Sequence, residues 1–281
     1  MRSMPEQNDR LLKEIRPGSD RIGLQFDRLW EYRELLFFLV WRDLKVRYKQ
    51  TALGVAWAVL QPLATMAIFS IVFGRLAKIP SEGVPYPIFA YCALVPWQMF
   101  AFAMTESSNS MVQNQYLISK IYFPRLIVPL APVLTAFVDF LFAFALLIGM
   151  MLIYGVIPKV TILLLPVFLF LVVLTSFAVG VWLSALTAEY RDIRYTVPFL
   201  VQFWMFATPI AYPSNLVPEK WRILYALNPM TSVVEGFRWV LLGTPAPPLM
   251  PMLASGLAAL VIATSGILYF RRLESTFADV L

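Results

Sequence analysis

Histidine is absent from this 281-residue chain, cysteine occurs once, and only 14% of the residues are charged. Each shortage excludes a class of chemistry. Without histidine, Ser-His-Asp and Cys-His nucleophilic catalysis cannot be built, and zinc or haem sites lose their usual nitrogen ligand. The single thiol, Cys92, supports neither a disulfide framework nor a metal cluster, and reads as a small core-packing residue. No G-x-x-x-x-G-K-S/T loop occurs, so the chain does not hold ATP in the P-loop manner. The acids in or beside apolar stretches are Glu106 and Asp139, on different helices, which is not the paired arrangement that glycosyl transfer needs. Neither catalytic residues nor a metal-ligand set can be named.

What the chain has instead is apolar length, with 59% of its residues hydrophobic. That fraction excludes a soluble globular domain. A helix needs about 20 residues to cross the hydrocarbon. Six stretches meet or approach this: 53–76, 86–105, 126–154, 161–186, 196–213 and 249–270. Basic residues gather on alternate sides of them. The arm before Leu53, with Lys120, Arg125, Arg191, Arg194, Arg271 and Arg272, carries most of the positive charge, while Arg75, Lys78, Lys159, Lys220, Arg222 and Arg238 lie on the other side. Positive flanks stay in the cytoplasm, which predicts cytoplasmic termini. The net charge of +6 therefore points to anionic headgroups, not nucleic acid.

Residues 1–28 mix charges with Pro17 and Gly18, lack the apolar core of a secretory signal, and read as a cytoplasmic arm. The first span is then the insertion signal. Over 29–50, Leu29, Tyr32, Leu36, Val40, Leu44 and Tyr48 recur every four residues while Glu31, Glu34, Lys45 and Lys49 form a polar stripe, which predicts an amphipathic helix in the membrane interface. Residues 113–120 predict a short surface helix ended by Pro124. Between Ser214 and Pro248 the chain is too apolar for a solvated loop, yet Asn228-Pro229 cuts it into pieces too short to span. Two short re-entrant helices fit that pattern.

Two aromatic stripes lie at helical spacing. Tyr195, Phe199, Phe203 and Phe206 share one face of the fifth span, and Phe137, Phe140 and Phe144 share one face of the third. Such a stripe either packs against lipid and core or lines a path along which sugar C–H faces slide. Asp139, mid-span, is read as a helix-to-helix hydrogen bond with a Ser, Thr or Asn neighbour, a substrate role being the alternative. Arg191 and Asp192 either join the fourth and fifth spans through a charge-assisted hydrogen bond or anchor the loop to headgroups.

Several motifs together resemble the membrane permeases of ABC exporters of the ABC-2 type, most closely the branch that exports O-antigen and related polysaccharides. They are Trp41 to Tyr48 with Leu53-Gly54 and Trp57 to Pro62, Lys120 to Arg125 with Pro129, Tyr190-Arg191-Asp192-Ile193, Asn228-Pro229-Met230, and Phe270 to Glu274. The resemblance implies an all-α integral membrane fold, with residues 51–281 as one transmembrane domain of six helices behind the interface helix. It implies a homodimer in a bacterial inner membrane, enclosing a channel for a lipid-linked polysaccharide. Two cytoplasmic ABC ATPases would power it and hold the ATP and magnesium, so this chain needs no cofactor. Tyr116, Leu117, Ile118, Lys120, Arg191 and Asp192 would dock those ATPases, and the seven stripe aromatics would line the channel. Export of teichoic acid, capsule or a small amphiphile by the same fold is the alternative, and a membrane-embedded glycosyltransferase a third.

Overall fold

The computed structural model describes residues 26–49, 56–274 and 277. No strand occurs among the described residues. Most of the expected arm 1–28 lies outside them, as do 50–55, where the first span was to begin. The helices are α1 (Phe26–Glu31), α2 (Arg33–Lys49), α3 (Ala56–Phe69), α4 (Tyr86–Gln113), α5 (Gln115–Lys120), α6 (Ile127–Ile153), α7 (Leu165–Glu189), α8 (Ile193–Phe206), α9 (Glu219–Ala226), α10 (Pro229–Leu242) and α11 (Leu249–Glu274). A π-helical stretch, Ser70–Leu76, extends α3, and a 3-10 turn, Val160–Leu164, leads into α7.

Among the described residues, five segments are long and apolar enough to cross a bilayer: Ala56–Leu76, Tyr86–Gln113, Ile127–Ile153, Val160–Glu189 and Leu249–Glu274. The fifth expected span, 196–213, differs. Helix α8 has 14 residues, about 21 Å at 1.5 Å per residue, against a hydrocarbon core of ~30 Å. Beyond Phe206 the chain continues as turns.

Helix α4 is the axis of the bundle: 83% of its apolar window is buried inside the protein, against 11% for the segment containing α3. Small residues let its neighbours approach, because lipid tails supply no hydrophobic drive and close van der Waals packing must hold helices together. Ser107 of α4 lies against Gly180 of α7, where an added Cβ would come within 2.7 Å of the serine Cβ. Its hydroxyl donates to the Pro129 carbonyl of α6 at 2.8 Å. Cys92 is fully buried on α4, as expected of a packing residue.

Tyr32 divides the single helix expected over 29–50 into α1 and α2. The four-residue stripe faces the bundle: Leu29, Tyr32, Leu36 and Val40 pack on a cluster containing Leu39, Ile118, Phe123 and Phe270. The outer side is not purely polar, since Trp30, Phe37, Phe38 and Trp41 are exposed there beside Glu31 and Glu34.

The segment after α8 does form two short helices parted at Asn228-Pro229. Asn228 caps α10 by accepting from the Met230 N–H at 3.0 Å, and Pro229 occupies the first turn, where its missing N–H costs nothing. Gly243, at φ 72°, ends α10 in the left-handed conformation that favours glycine. Nearly all of α10 is buried, against α4, α7 and α11.

Candidate functional site

Helix α8 is held by one side and open on the other. Val197 is buried, and Trp204 packs edge-on to Phe100 and donates its indole N–H to Asn228 Oδ1 at 2.8 Å. The expected stripe lies on the free side, with Tyr195, Phe199, Phe203 and Phe206 exposed by 69, 67, 65 and 54%. The stripe on α6 is not beside it. Phe137, Phe140 and Phe144 stack on one another at centroid spacings of 5.8 and 5.4 Å, and Phe140 is buried edge-on to Phe237.

On the side of α8 that adjoins this stripe, a cavity of about 430 Å³ opens between α2, α3, α4, α6 and α8. Arg47, Gln61, Gln98, Glu106, Asp139 and Gln202 reach its wall. So many polar groups at this depth of a membrane protein must face water, ligand or one another. One set does pair: Arg47 lies 2.9 Å from one Asp139 oxygen, Tyr48 donates its hydroxyl to the other, and the guanidinium covers the Phe102 ring at 4.0 Å. The partners of Asp139 are thus an arginine and a tyrosine on α2, not a Ser, Thr or Asn on a neighbouring span. The sequence shows Arg47 as one of the basic residues before the first span and Tyr48 as the end of the four-residue stripe, both within the Trp41 to Tyr48 motif, with nothing to pair either with Asp139.

The far end holds a residue that sequence reasoning passed over. Arg238 of α10 was read as an external flanking charge, yet it is 2% exposed. It donates to the carbonyls of Pro209 (2.6 Å), Ile210 (2.7 Å) and Phe89 (3.2 Å), and lies 3.5 Å over the Phe89 ring. Those first two carbonyls belong to the turn after α8, where the helix ladder has ended and the backbone needs other donors. Asn228 supplies another, its Nδ2 reaching the Ala207 carbonyl at 3.2 Å. Phe89 and Arg238 are 149 residues apart, and no local pattern pairs them.

At the basic end, Tyr116 is 73% exposed and Lys120 is exposed, while Leu117 is half-buried and Ile118 is buried against Phe123 and Leu126. The expected docking trio is therefore split between surface and core. Arg191 and Asp192 are both exposed, and no ion pair joins them among the described residues. Two of the motifs meet here instead: Arg125 donates to the Glu274 carbonyl, tying the loop before α6 to the end of α11. Arg42 bridges Asp43 and Asn114, the latter at 2.8 Å, which fixes α2 to the end of α4.

Comparison with known proteins adds two findings. A sequence model of the ABC-2 type transporter family matches residues 34–242. The chain is 30% identical over 254 residues to the O-antigen export system permease protein RfbA of Myxococcus xanthus, covering 89% of this chain and 96% of the relative. It is 29% identical over 250 residues to the RfbA permease of Klebsiella pneumoniae, covering 88% and 95%. The polysialic acid transport protein KpsM of Escherichia coli is 25% identical over 199 residues, covering 69% and 76%.

Proposed function

The chain belongs to the ABC-2 type transporter family, and from that premise we propose that it is the permease subunit of an exporter for a lipid-linked cell-surface polysaccharide such as O-antigen. Its likeness to two O-antigen export permeases over almost their whole length supports the substrate class. The observation that carries the mechanism is the in-line aromatic face of α8, left uncovered beside a polar cavity. A polymer passes many repeating units, so deep hydrogen-bonding wells at every step would trap it. Ring faces give weak contacts that reform with each sugar.

In this reading α8 and the turns after it act as the fifth of six crossings, and α9 and α10 as re-entrant helices capping the exit. Arg238 and Asn228 satisfy the backbone where the crossing breaks. Two copies pair so that their α8 faces enclose the channel, as a two-fold interface requires. Phe140 of the α6 stripe reaches the cavity wall and completes the aromatic lining from inside. Two cytoplasmic ABC ATPases, which bind the ATP and magnesium, dock on the basic end through Tyr116, Leu117, Lys120, Arg191 and Asp192. That end lies in the cytoplasm with both termini, in a bacterial inner membrane. Likeness to the polysialic acid transport protein KpsM supports, as the second reading, an acidic glycan of the polysialic acid kind.

Deleting the gene and fractionating the cells tests the proposal. Finished lipid-linked polymer should accumulate inside while surface glycan disappears. Undiminished surface glycan would refute it, and truncated polymer would favour a transferase.

A further inference from the structure

Gln61 of α3, Gln98 of α4 and Gln202 of α8 line the same cavity, and among the described residues none of their side-chain amides makes a hydrogen bond to the protein. This is an unusual use of three amides. Each carries two donors and an acceptor, and at membrane depth such groups are kept where something satisfies them. The other polar neighbours are already engaged. Asp139 is taken by Arg47 and Tyr48, and Thr105 donates to the Ala101 carbonyl at 2.9 Å. The amides are the groups left to meet an occupant.

Their chemistry defines its class. Arg47 shares the wall with two carboxylates, Asp139 and Glu106, so no surplus positive charge is left there for a phosphate or other anion. An acyl chain would strand all three amides. A polyhydroxylated ring satisfies them, because neighbouring hydroxyls both donate and accept, and its C–H groups pack against the half-buried Phe102 ring in the same wall. The 430 Å³ volume lies within the ~300–1,000 Å³ of small-ligand sites.

We propose that this cavity is a subsite that holds one or two neutral sugar units of the exported glycan through Gln61, Gln98 and Gln202. It rests on the reading of the chain as a glycan permease and assigns a different task from that of the exposed aromatic face. Gln202 adjoins Phe203 along α8, so a sugar leaving the sliding face enters the amide cage beside it. Holding there gives the polymer a resting position between strokes, with affinity set by the hydroxyl pattern of the unit.

The test uses the purified full chain in lipid nanodiscs and oligosaccharides released by mild acid from the source strain's own surface polysaccharide. Titration is followed by calorimetry and by tryptophan fluorescence, since Trp97 sits in the wall. Saturable binding is expected, weakened at least tenfold in Gln61→Met/Gln98→Met/Gln202→Met and kept in Gly256→Ala, on α11 away from the cavity. A second variant guards against misfolding of the triple one. Gln98→Cys in a Cys92→Ala background should react with a neutral thiol reagent, and the oligosaccharide should protect it. Absent binding, unchanged affinity of the triple variant, or labelling of Gln98→Cys that ignores the sugar each overturns the subsite. Accumulation of polymer in the deletion strain alongside any of those results leaves the export reading standing, whereas amide-dependent binding without accumulation removes that reading and, with it, the subsite's role in export.

Discussion

The guanidinium of Arg47 lies 2.9 Å from the carboxylate of Asp139, which joins the last turn of α2 to the middle of α6. Asp139 is 12 residues into that helix, about 18 Å from its start at 1.5 Å per residue. The helix before the first span is therefore bonded to the transmembrane bundle at the edge of the cavity.

Asp139→Asn or Arg47→Met removes the ion pair and leaves the remaining group to its other contacts. The side chains are 13% and 28% exposed, so each loss should be on the order of 1–3 kcal/mol, below the ~3–5 kcal/mol of a fully enclosed pair. The double variant Arg47→Met/Asp139→Leu should recover part of it. A double-mutant cycle of thermal unfolding in detergent measures the coupling, and strictly additive losses would show that the pair contributes none.

Arg238→Met should be among the most damaging single changes, since it leaves the Pro209 and Ile210 carbonyls, which lie beyond the α8 ladder, without their donor. Each such group costs ~1–3 kcal/mol. Arg238→Lys should rescue little, because one ammonium lacks the planar fork that reaches separate carbonyls. Proteolysis within 207–228 and yield of folded protein report the outcome. A lysine variant as stable as the parent would contradict the role.

Glycine packing gives a contrast between two sites. An added Cβ at Gly236 would fall 2.0 Å from Phe168 Cε1, whereas at Gly256 nothing lies within 4 Å. Gly236→Ala should cost ~1–3 kcal/mol through overpacking, and Gly256→Ala should be neutral or slightly stabilising. Melting temperatures of the two alanine variants decide this, and equal values would show that the α7–α10 approach relaxes freely.

Tyr116→Asp and Ile118→Asp should part company. The first alters an exposed ring and the second puts a charge into the cluster of Phe123 and Leu126. Loss of ATPase co-purification with unchanged stability is expected for Tyr116→Asp, and loss of the fold for Ile118→Asp. An ATPase that co-purifies equally well with Tyr116→Asp removes this residue from the docking surface.

Single cysteines at Tyr195, Phe199, Phe203 and Phe206 should react with a membrane-impermeant thiol reagent during ATP turnover. Cys92 is fully buried in apolar surroundings, so Cys92→Ala serves as the background. Protection of all four positions under turnover, with labelling on the opposite face of α8, would move the channel elsewhere.

Apolar run length was enough to place five crossing helices to within a few residues for four of them and to expect the break at Asn228-Pro229. Solvation in a bilayer acts residue by residue, so composition carries that information. The same local periodicity showed the α8 stripe but not its difference from the α6 stripe. Exposure depends on what packs against a helix, and Phe237, the residue that closes over Phe140, is 97 positions away. Ile118 was misplaced for the same reason, its neighbours coming from the loop before α6 and from α2.

Residue types alone therefore determined that this chain is a helical membrane protein without histidine chemistry, which end carries the positive charge, and which motifs it shares with its family. Tertiary structure decided where its few intramembrane polar groups go. Arg47 finds Asp139, Arg238 finds the carbonyls of a broken helix, and three glutamines converge on one cavity. The physical reason is that a buried polar group is tolerable only with a partner, and those partners come from helices that folding alone brings together.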